Sequence, residues 1–404
     1  MTSSATIHDP GARDPGAPDP RTMARLAEIL AFDTVSRNSN LACIDWARAH
    51  MEAHGAACRL DFNADGTKAN LLATFGEGPG GIVLSGHVDV VPVDGQPWTV
   101  DPFALTVKDG RAYGRGACDM KGFDAVVMGH VPDYAAAAEA GGEPIHVAFT
   151  YDEEQGCLGI PKLIDAMAAW GVKPRGALIG EPTSMRLVSA HKGGYVWRCR
   201  VTGKAAHSSL THEAVNAIEY AARIIARIQD ISDRERIGGR RVEGFDVPFT
   251  TISTNLFSGG NGPNIVPALA EFMFDYRYVP GFDPATIIDD LRALAAELEP
   301  RMKAIDPSAG IAFIPVNHIP ALNARPEDDV YRIVHGLLPD KAVEKVAYGT
   351  EASFFERYGV PSVVCGPGSI AQAHKADEYV ALDQIAACDR LIEGLLGRLS
   401  QGAV

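Results

Sequence analysis

The chain has 404 residues, 46% of them hydrophobic and 22% charged, enough for about two or three domains with a sizeable core; a disordered or fibrous chain is excluded. With 37 Lys+Arg against 51 Asp+Glu the formal charge is -14, which disfavours phosphate backbones as partners and leaves small substrates open. The seven cysteines, at 43, 58, 118, 157, 199, 365 and 388, are odd in number and form no CxxC, so reduced thiols in the cytoplasm are expected rather than a disulfide scaffold.

The first 20 residues contain three Asp-Pro pairs, the last at Asp19-Pro20, and read as a solvated, disordered tail, with a docking motif as the alternative. No basic n-region or apolar core of signal-peptide length occurs, and no stretch reaches the ~18 apolar residues of a membrane span, so secretion and membrane insertion are disfavoured. From Arg21, Met23, Leu26, Ile29 and Leu30 share one helical face, and a second helix is predicted over 41–55. Short apolar runs at 70–75, 81–87, 145–151 and 177–180 predict buried strands, with helical segments near 123–140 and 161–170 between them. That alternation indicates an α/β layer with a largely parallel sheet.

The middle of the chain differs. Strands are predicted at 194–202, 250–256, 268–278 and 310–315, and helices at 214–231 and 285–302. The order β-α-β-β-α-β is the ferredoxin-like pattern. Beyond about 320 the α/β style returns, with helices near 328–337 and 383–399 around a strand at 362–365. The expected organisation is a catalytic domain of residues 21–186 and 319–404, interrupted by a small α+β domain of 187–318. The pair Gly193-Gly194 at the junction is a candidate hinge.

Five segments can carry chemistry, four of them at predicted strand ends, where ligands gather in open α/β sheets. His87 and Asp89 are two apart and point to one face; they suit a metal-bound histidine with a carboxylate on its second N–H, or a solvated surface pair. Asp119 lies among Gly114, Gly116 and Gly122, as the carboxylate of either a tight functional loop or a capped turn. Asp152, Glu153 and Glu154 follow an apolar strand, and their mutual repulsion calls for a dication or for full solvation. Glu181 directly follows the strand at 177–180, and His374 lies in the segment Ala373–Tyr379. Together these supply histidines and carboxylates without a cysteine pair, a donor set for a catalytic divalent ion rather than a structural zinc. Two-metal sites hold ions about 3.5–4 Å apart over a shared carboxylate.

In this order, HVDVVP, GRGACDMKG, TYDEEQG, GEPT and AHKADE resemble the motifs of the M20 dinuclear zinc amidohydrolases and peptidases, over about residue 22 to the end. Segments 33–40, 348–352 and 366–370 are similar to the acetylornithine deacetylase branch of that family. The resemblance implies a zinc-peptidase-like catalytic domain with an inserted ferredoxin-like lid, and two zinc ions for which cobalt could substitute. His87 and Glu181 resemble the terminal ligands of one ion, Glu154 and His374 those of the other, and Asp119 the bridge, beside a cis peptide bond. Asp89 resembles the partner of His87, Glu153 the general base, and His207 a lid histidine that polarises the substrate carbonyl, in dimeric members from the partner subunit. Arg277 and Asn264 resemble contacts to the substrate carboxylate and carbonyl. Glu351 is a candidate for a distal ammonium, or else caps a helix. The implied activity is cytoplasmic deacetylation of N-acetyl-L-ornithine in arginine biosynthesis, by a homodimer joined through the lid domain and acting on a small N-acyl amino acid, with neither nucleic acid nor membrane as partner. Succinyl-diaminopimelate desuccinylase, another N-acyl-amino-acid hydrolase, a dipeptidase and a catalytically silent binding protein are the alternatives.

Overall fold

The structure, a computed structural model, describes residues 16–400. The Asp-Pro pairs at 9–10 and 14–15 lie outside them. The chain divides into two compact units: one takes the described residues through Val188, Ala324–Val343 and the chain from Phe354, the other Ser189–Asn323 and Glu344–Ser353. Segments 319–323 and 344–353, assigned above to the catalytic domain, thus fall in the second unit, and residues 187–188, assigned to the small domain, fall in the first.

In the first unit, α1 (Pro20–Leu30) and α2 (Leu41–Ala53) precede β1 (Ala57–Phe62), β2 (Ala69–Phe75) and β3 (Ile82–His87). Asp19-Pro20, expected in the tail, instead opens α1. The Asp19 side chain accepts the Arg21 N–H as N-cap, and proline costs nothing where the helix needs no donor. A short hairpin, β4 (Thr106–Lys108) and β5 (Arg111–Tyr113), then leads to α3 (Lys121–Gly129) and α4 (Val131–Glu139). The single helix predicted over 123–140 is split at His130, because Pro132 has no N–H to continue the ladder. β6 (Ile145–Thr150), α5 (Ile160–Ala169), β7 (Gly176–Ile179) and β8 (Leu187–His191) follow.

The second unit holds β9 (Gly193–Thr202), α6 (Ala217–Gly238), β10 (Thr251–Gly259), β11 (Leu269–Tyr278), α7 (Ala285–Lys303), β12 (Gly310–Ile319) and β13 (Leu322–Asn323). Its antiparallel sheet runs β10-β11-β9-β12, and one face buries Cys199, Phe272 and Phe274 with Ile224 of α6 and Leu291 of α7. The ferredoxin-like order read from the sequence is the order observed. Gly193 and Gly194 are not a free hinge but ladder residues, opposite Tyr278 and Arg277. A Cβ on Gly193 would lie 2.1 Å from the Tyr278 ring, so the glycine is the space that the ring needs.

The chain then returns through α8 (Asp329–Leu337) to β14 (Val343–Val346), α9 (Ala352–Arg357), β15 (Ser362–Val364), β16 (Tyr379–Ala381) and α10 (Leu382–Leu399). The Lys192 N–H donates to Val346 O at 3.1 Å, and the Thr350 N–H to His191 Nε2 at 3.3 Å, which is what ties 344–353 into the second unit. In the first unit the sheet order is β1-β2-β6-β3-β7-β15-β8. The central strands β6, β3, β7 and β15 are parallel, while β1, β2 and β8 pair antiparallel at the flanks. A core of Leu71, Leu84, Val147, Phe149 and Leu178 packs with Leu26 of α1, Phe123 of α3 and Leu391 of α10. Among the described residues, no helix is long and apolar enough to cross a membrane.

Candidate metal centre

The parallel register places His87 of β3 opposite Thr150 of β6, and Ser85 opposite Ile179 of β7. The carboxyl ends of the three strands are therefore level, and the residues just beyond them meet. β3 ends in His87, the β6 end leads into Glu153 and Glu154, and the β7 end into Glu181. Asp119 stands just before α3, and the peptide bond that follows it is cis. His374 adopts a left-handed backbone (φ 64°), uncommon for a side chain with a Cβ.

Asp119 joins two clusters. His87, Asp119 and Glu181 present ligand atoms within 4.8 Å of one another, and so do Asp119, Glu154 and His374. Asp119 Oδ1 lies 3.1 Å from His87 Nε2, and Oδ2 lies 3.2 Å from His374 Nε2. His87 Nε2 is 3.8 Å from Glu181 Oε1, and His374 Nε2 is 3.1 Å from Glu154 Oε1. The His87 Nδ1 faces the Asp89 carbonyl oxygen at 2.9 Å, an acceptor, so Nδ1 carries the proton and Nε2 offers its lone pair. The Asp89 carboxylate is farther, at 3.6 Å. The expected carboxylate–histidine pair is thus a carbonyl–histidine pair. The Asp89 side chain instead accepts the N–H groups of Glu153 (3.0 Å) and Glu154 (3.3 Å) and the Ser36 hydroxyl (2.7 Å).

The electrostatics suit a cation. Burial pushes the Glu181 carboxyl well above the usual range, and Asp119 and Glu153 beside it add to the rise. Burial likewise raises Glu154. Burial also opposes charge on Asp119, but hydrogen bonds to His374 and His87 outweigh it and hold its carboxyl below the usual range. Hydrogen bonds to Asp119 and Glu154 lift His374 to about 10. Carboxylates this close and this desolvated need positive charge, and a donor set of two imidazoles and three carboxylates, one of them facing both ways, fits a pair of divalent ions. Of the three consecutive acids, Asp152 is met differently: its Oδ1 lies 2.5 Å from Lys68 Nζ. Glu153 remains beside the first cluster, its Oε2 4.0 Å from His87 Nε2 and its Oε1 accepting from the Cys157 thiol at 3.3 Å.

The other sequence-derived residues lie in the second unit. His207 is exposed, with Nδ1 2.8 Å from the Ser209 hydroxyl. A bridge between His207 and Ile265 and a bond from the Ser208 N–H to Asn264 O bring His207 and Asn264 together. Arg277, on β11, donates from Nε to Asp275 at 3.0 Å. Glu351 is buried, and the neighbouring Thr350 hydroxyl accepts the N–H of Ala352 where α9 begins.

Sequence reasoning missed Glu378, Arg115, Gln96 and Ser36. Glu378 Oε2 lies 2.5 Å from Arg115 Nη1, both buried, and its Oε1 accepts the N–H groups of Cys118 and Asp119. Burial raises the Glu378 carboxyl, and Arg115 works against that rise. Both residues stand inside the quoted motifs, but nothing in either segment indicates a pair 263 positions apart.

Parallel strand ends that converge on histidines and carboxylates, in a chain that also carries an inserted antiparallel domain, define a metal-dependent hydrolase. The profile of Peptidase family M20/M25/M40 matches residues 83–398, and the chain belongs to that family. It is 35% identical to an acetylornithine deacetylase of Myxococcus xanthus, over 92% of this chain and 96% of that protein. With an acetylornithine deacetylase of Pasteurella multocida it shares 36%, over 83% and 85%. Among solved structures, a tripeptidase from Staphylococcus aureus superposes with a TM-score of 0.73 at 18% identity, over 95% of this chain and 99% of that one. An M20 family metallo-carboxypeptidase from Sulfolobus solfataricus gives 0.68 at 16%, over 95% and 99%. These likenesses show the fold; family and relatives together make the chain a metal-dependent amidohydrolase.

Proposed function

We propose that this chain hydrolyses N-acetyl-L-ornithine to L-ornithine and acetate, as a cytoplasmic enzyme of arginine biosynthesis. The observation that carries the reading is Asp119, whose two oxygens face separate histidine–glutamate pairs while Glu153 stands beside them outside both clusters. The substrate rests on the relatives, named acetylornithine deacetylases at 34–36% identity. His87 and Glu181 would hold one zinc, Glu154 and His374 the second, and Asp119 both, with cobalt as a substitute. Bound there, the ions supply Lewis-acid polarisation of the carbonyl and a water acidic enough to ionise near neutral pH.

Glu153 takes the proton of the attacking water and passes it to the leaving amine, its backbone held by Asp89. His207 donates to the developing oxyanion, a contribution worth ~3–4 kcal/mol in comparable sites. Arg277 meets the substrate carboxylate with its guanidinium fork, Asn264 the carbonyl, and Glu351 the distal ammonium. A homodimer through the second unit completes the reading, and on β10 Leu256 and Phe257 are 64% and 47% exposed.

A deacylation panel of N-acetyl-L-ornithine, N-acetyl-methionine, N-succinyl-diaminopimelate and dipeptides, with metal content measured on the same sample, tests this. Two ions per chain and the highest kcat/KM on N-acetyl-L-ornithine are expected, and Glu153→Ala keeps the ions while losing nearly all turnover. Preference for a succinylated or dipeptide compound overturns the substrate. No turnover of any compound with zinc or cobalt present makes the chain a binding protein on an amidohydrolase scaffold.

A further inference from the structure

Glu378 contributes no atom to either ligand cluster, yet it is stitched to the loop that bears Asp119. Its carbonyl oxygen accepts the Gly114 N–H at 3.0 Å, and its Oε1 accepts the N–H groups of Cys118 (2.9 Å) and Asp119 (3.0 Å). Its Oε2 is fixed by Arg115 Nη1 at 2.5 Å. Arg115 is fully buried and reaches further: Nη2 donates to Gln96 Oε1 at 2.5 Å, and the guanidinium lies 5.0 Å from the Trp98 ring centre. Gln96 closes the circuit, donating from Nε2 to the carbonyl oxygen of His374 at 3.0 Å. Two loops that each supply a ligand, one Asp119 and one His374, are thereby clamped through a single buried ion pair. His87 closes β3 in register with Thr150 of β6, and Glu181 follows Gly180, whose N–H donates to Ser85 O of β3 at 3.1 Å.

We propose that Glu378, locked by Arg115, is a positioning residue that sets the spacing of Asp119 and His374 and so builds the second ion site, the one completed by Glu154, selectively over the first. The asymmetry has a physical basis. His374 sits on an irregular loop with a left-handed backbone and has no strand to hold it, whereas His87 is a ladder residue of β3 and Glu181 directly follows Gly180, whose N–H is bonded to that strand. An isosteric Glu378→Gln keeps an oxygen for the two N–H groups but gives up the ion pair, leaving Arg115 buried without its countercharge.

The inference rests on the two-ion reading above, and stepwise zinc titration of the metal-free full-length chain by calorimetry separates the two. A wild-type chain that takes up fewer than two ions fails the reading itself. With two ions in wild type, Glu378→Gln is expected to weaken the second binding step about 10–100-fold and the first less than about threefold, the loss usual for groups that orient metal ligands. Cobalt absorption should then show the second site filling late. Unchanged steps, or equal weakening of both, overturn the inference. Should Glu378→Gln fail to fold, Gln96→Ala decides, since it leaves the Glu378–Arg115 pair in place while it removes the link to the His374 carbonyl along with the Gln96 oxygen that accepts from Arg115 and Trp98. Weakening of its second step by threefold or more supports the clamp, and an unaltered second step overturns it.

Discussion

The carboxylate of Asp89 holds the backbone of Glu153 with one oxygen and that of Glu154 with the other, while the Ser36 hydroxyl fixes the second oxygen from the N-terminal segment. The proposed base and the proposed ligand are therefore aimed by one side chain acting through their backbone. In Asp89→Asn the amide nitrogen would face a backbone N–H, donor against donor, and one of the two holds is lost. The expected result is a kcat lower by about 10–100-fold with two ions still bound, measured by steady-state assay and metal analysis on one preparation. An unaltered kcat would show that the peptide following Asp152 needs no such anchor. At this scale the ligand residue types could be read from the sequence, because acids and histidines at the ends of apolar strands are conspicuous. Their partners could not be read. Ser36, Gln96 and Glu378 are ordinary polar residues until the fold brings Ser36 to the Asp89 carboxylate, Gln96 to the His374 carbonyl and Glu378 to the Asp119 N–H.

Among the elements, α3 is packed so tightly that all nine of its residues are buried, and two strand-end glycines permit it. A Cβ on Gly86 would lie 2.0 Å from Asp124 Oδ1, and one on Gly180 would lie 1.9 Å from the Phe123 ring. These glycines immediately precede His87 and Glu181, so the helix that follows Asp119 is docked against the strand ends that carry the other ligands of that cluster. Gly180→Ala must push Phe123 aside, and overpacking of this kind costs about 1–3 kcal/mol. A lower urea unfolding midpoint with the slope unchanged, the drop times the slope corresponding to that loss, is the expected reading; an unmoved midpoint would mean that α3 yields freely. Elements of this sort are legible because the buried strands are continuous apolar runs bounded by glycine or proline. The β4–β5 hairpin, β14 and α9 were not legible: three are short and partly exposed, and α9 has only six residues, too few to display a helical period.

On the scale of the whole molecule, the first unit is closed by an ion network joining its beginning to its end. The Asp389 carboxylate of α10 accepts the Asp19 N–H, the Thr22 hydroxyl and a bond from His130 Nε2, across as many as 370 positions. Such closure is invisible to periodicity, which reports only what lies within a turn or two. His130 Nδ1 is also 2.7 Å from Asp133, and Arg21 pairs with both Asp133 and Asp19, while Glu393 lies within reach of His130 and Asp19. Burial pulls the His130 pKa down, but its hydrogen bonds to Asp389 and Asp133 more than offset that, and the net shift is upward. A raised folded-state value means that the imidazolium adds stability at pH below the ordinary histidine range, near 6.5, and that this contribution fades as pH rises through the folded-state value. Removing the charge by His130→Gln leaves Asp389 buried beside an uncharged amide, a loss of about 3–5 kcal/mol for a pair broken on one side. Paired denaturant titrations of wild type and His130→Gln should therefore differ by that amount at pH 6 and by distinctly less at pH 9. A gap of equal size at both values would show the histidine to be neutral in the folded chain, held as a plain hydrogen-bonding strut between α4 and α10.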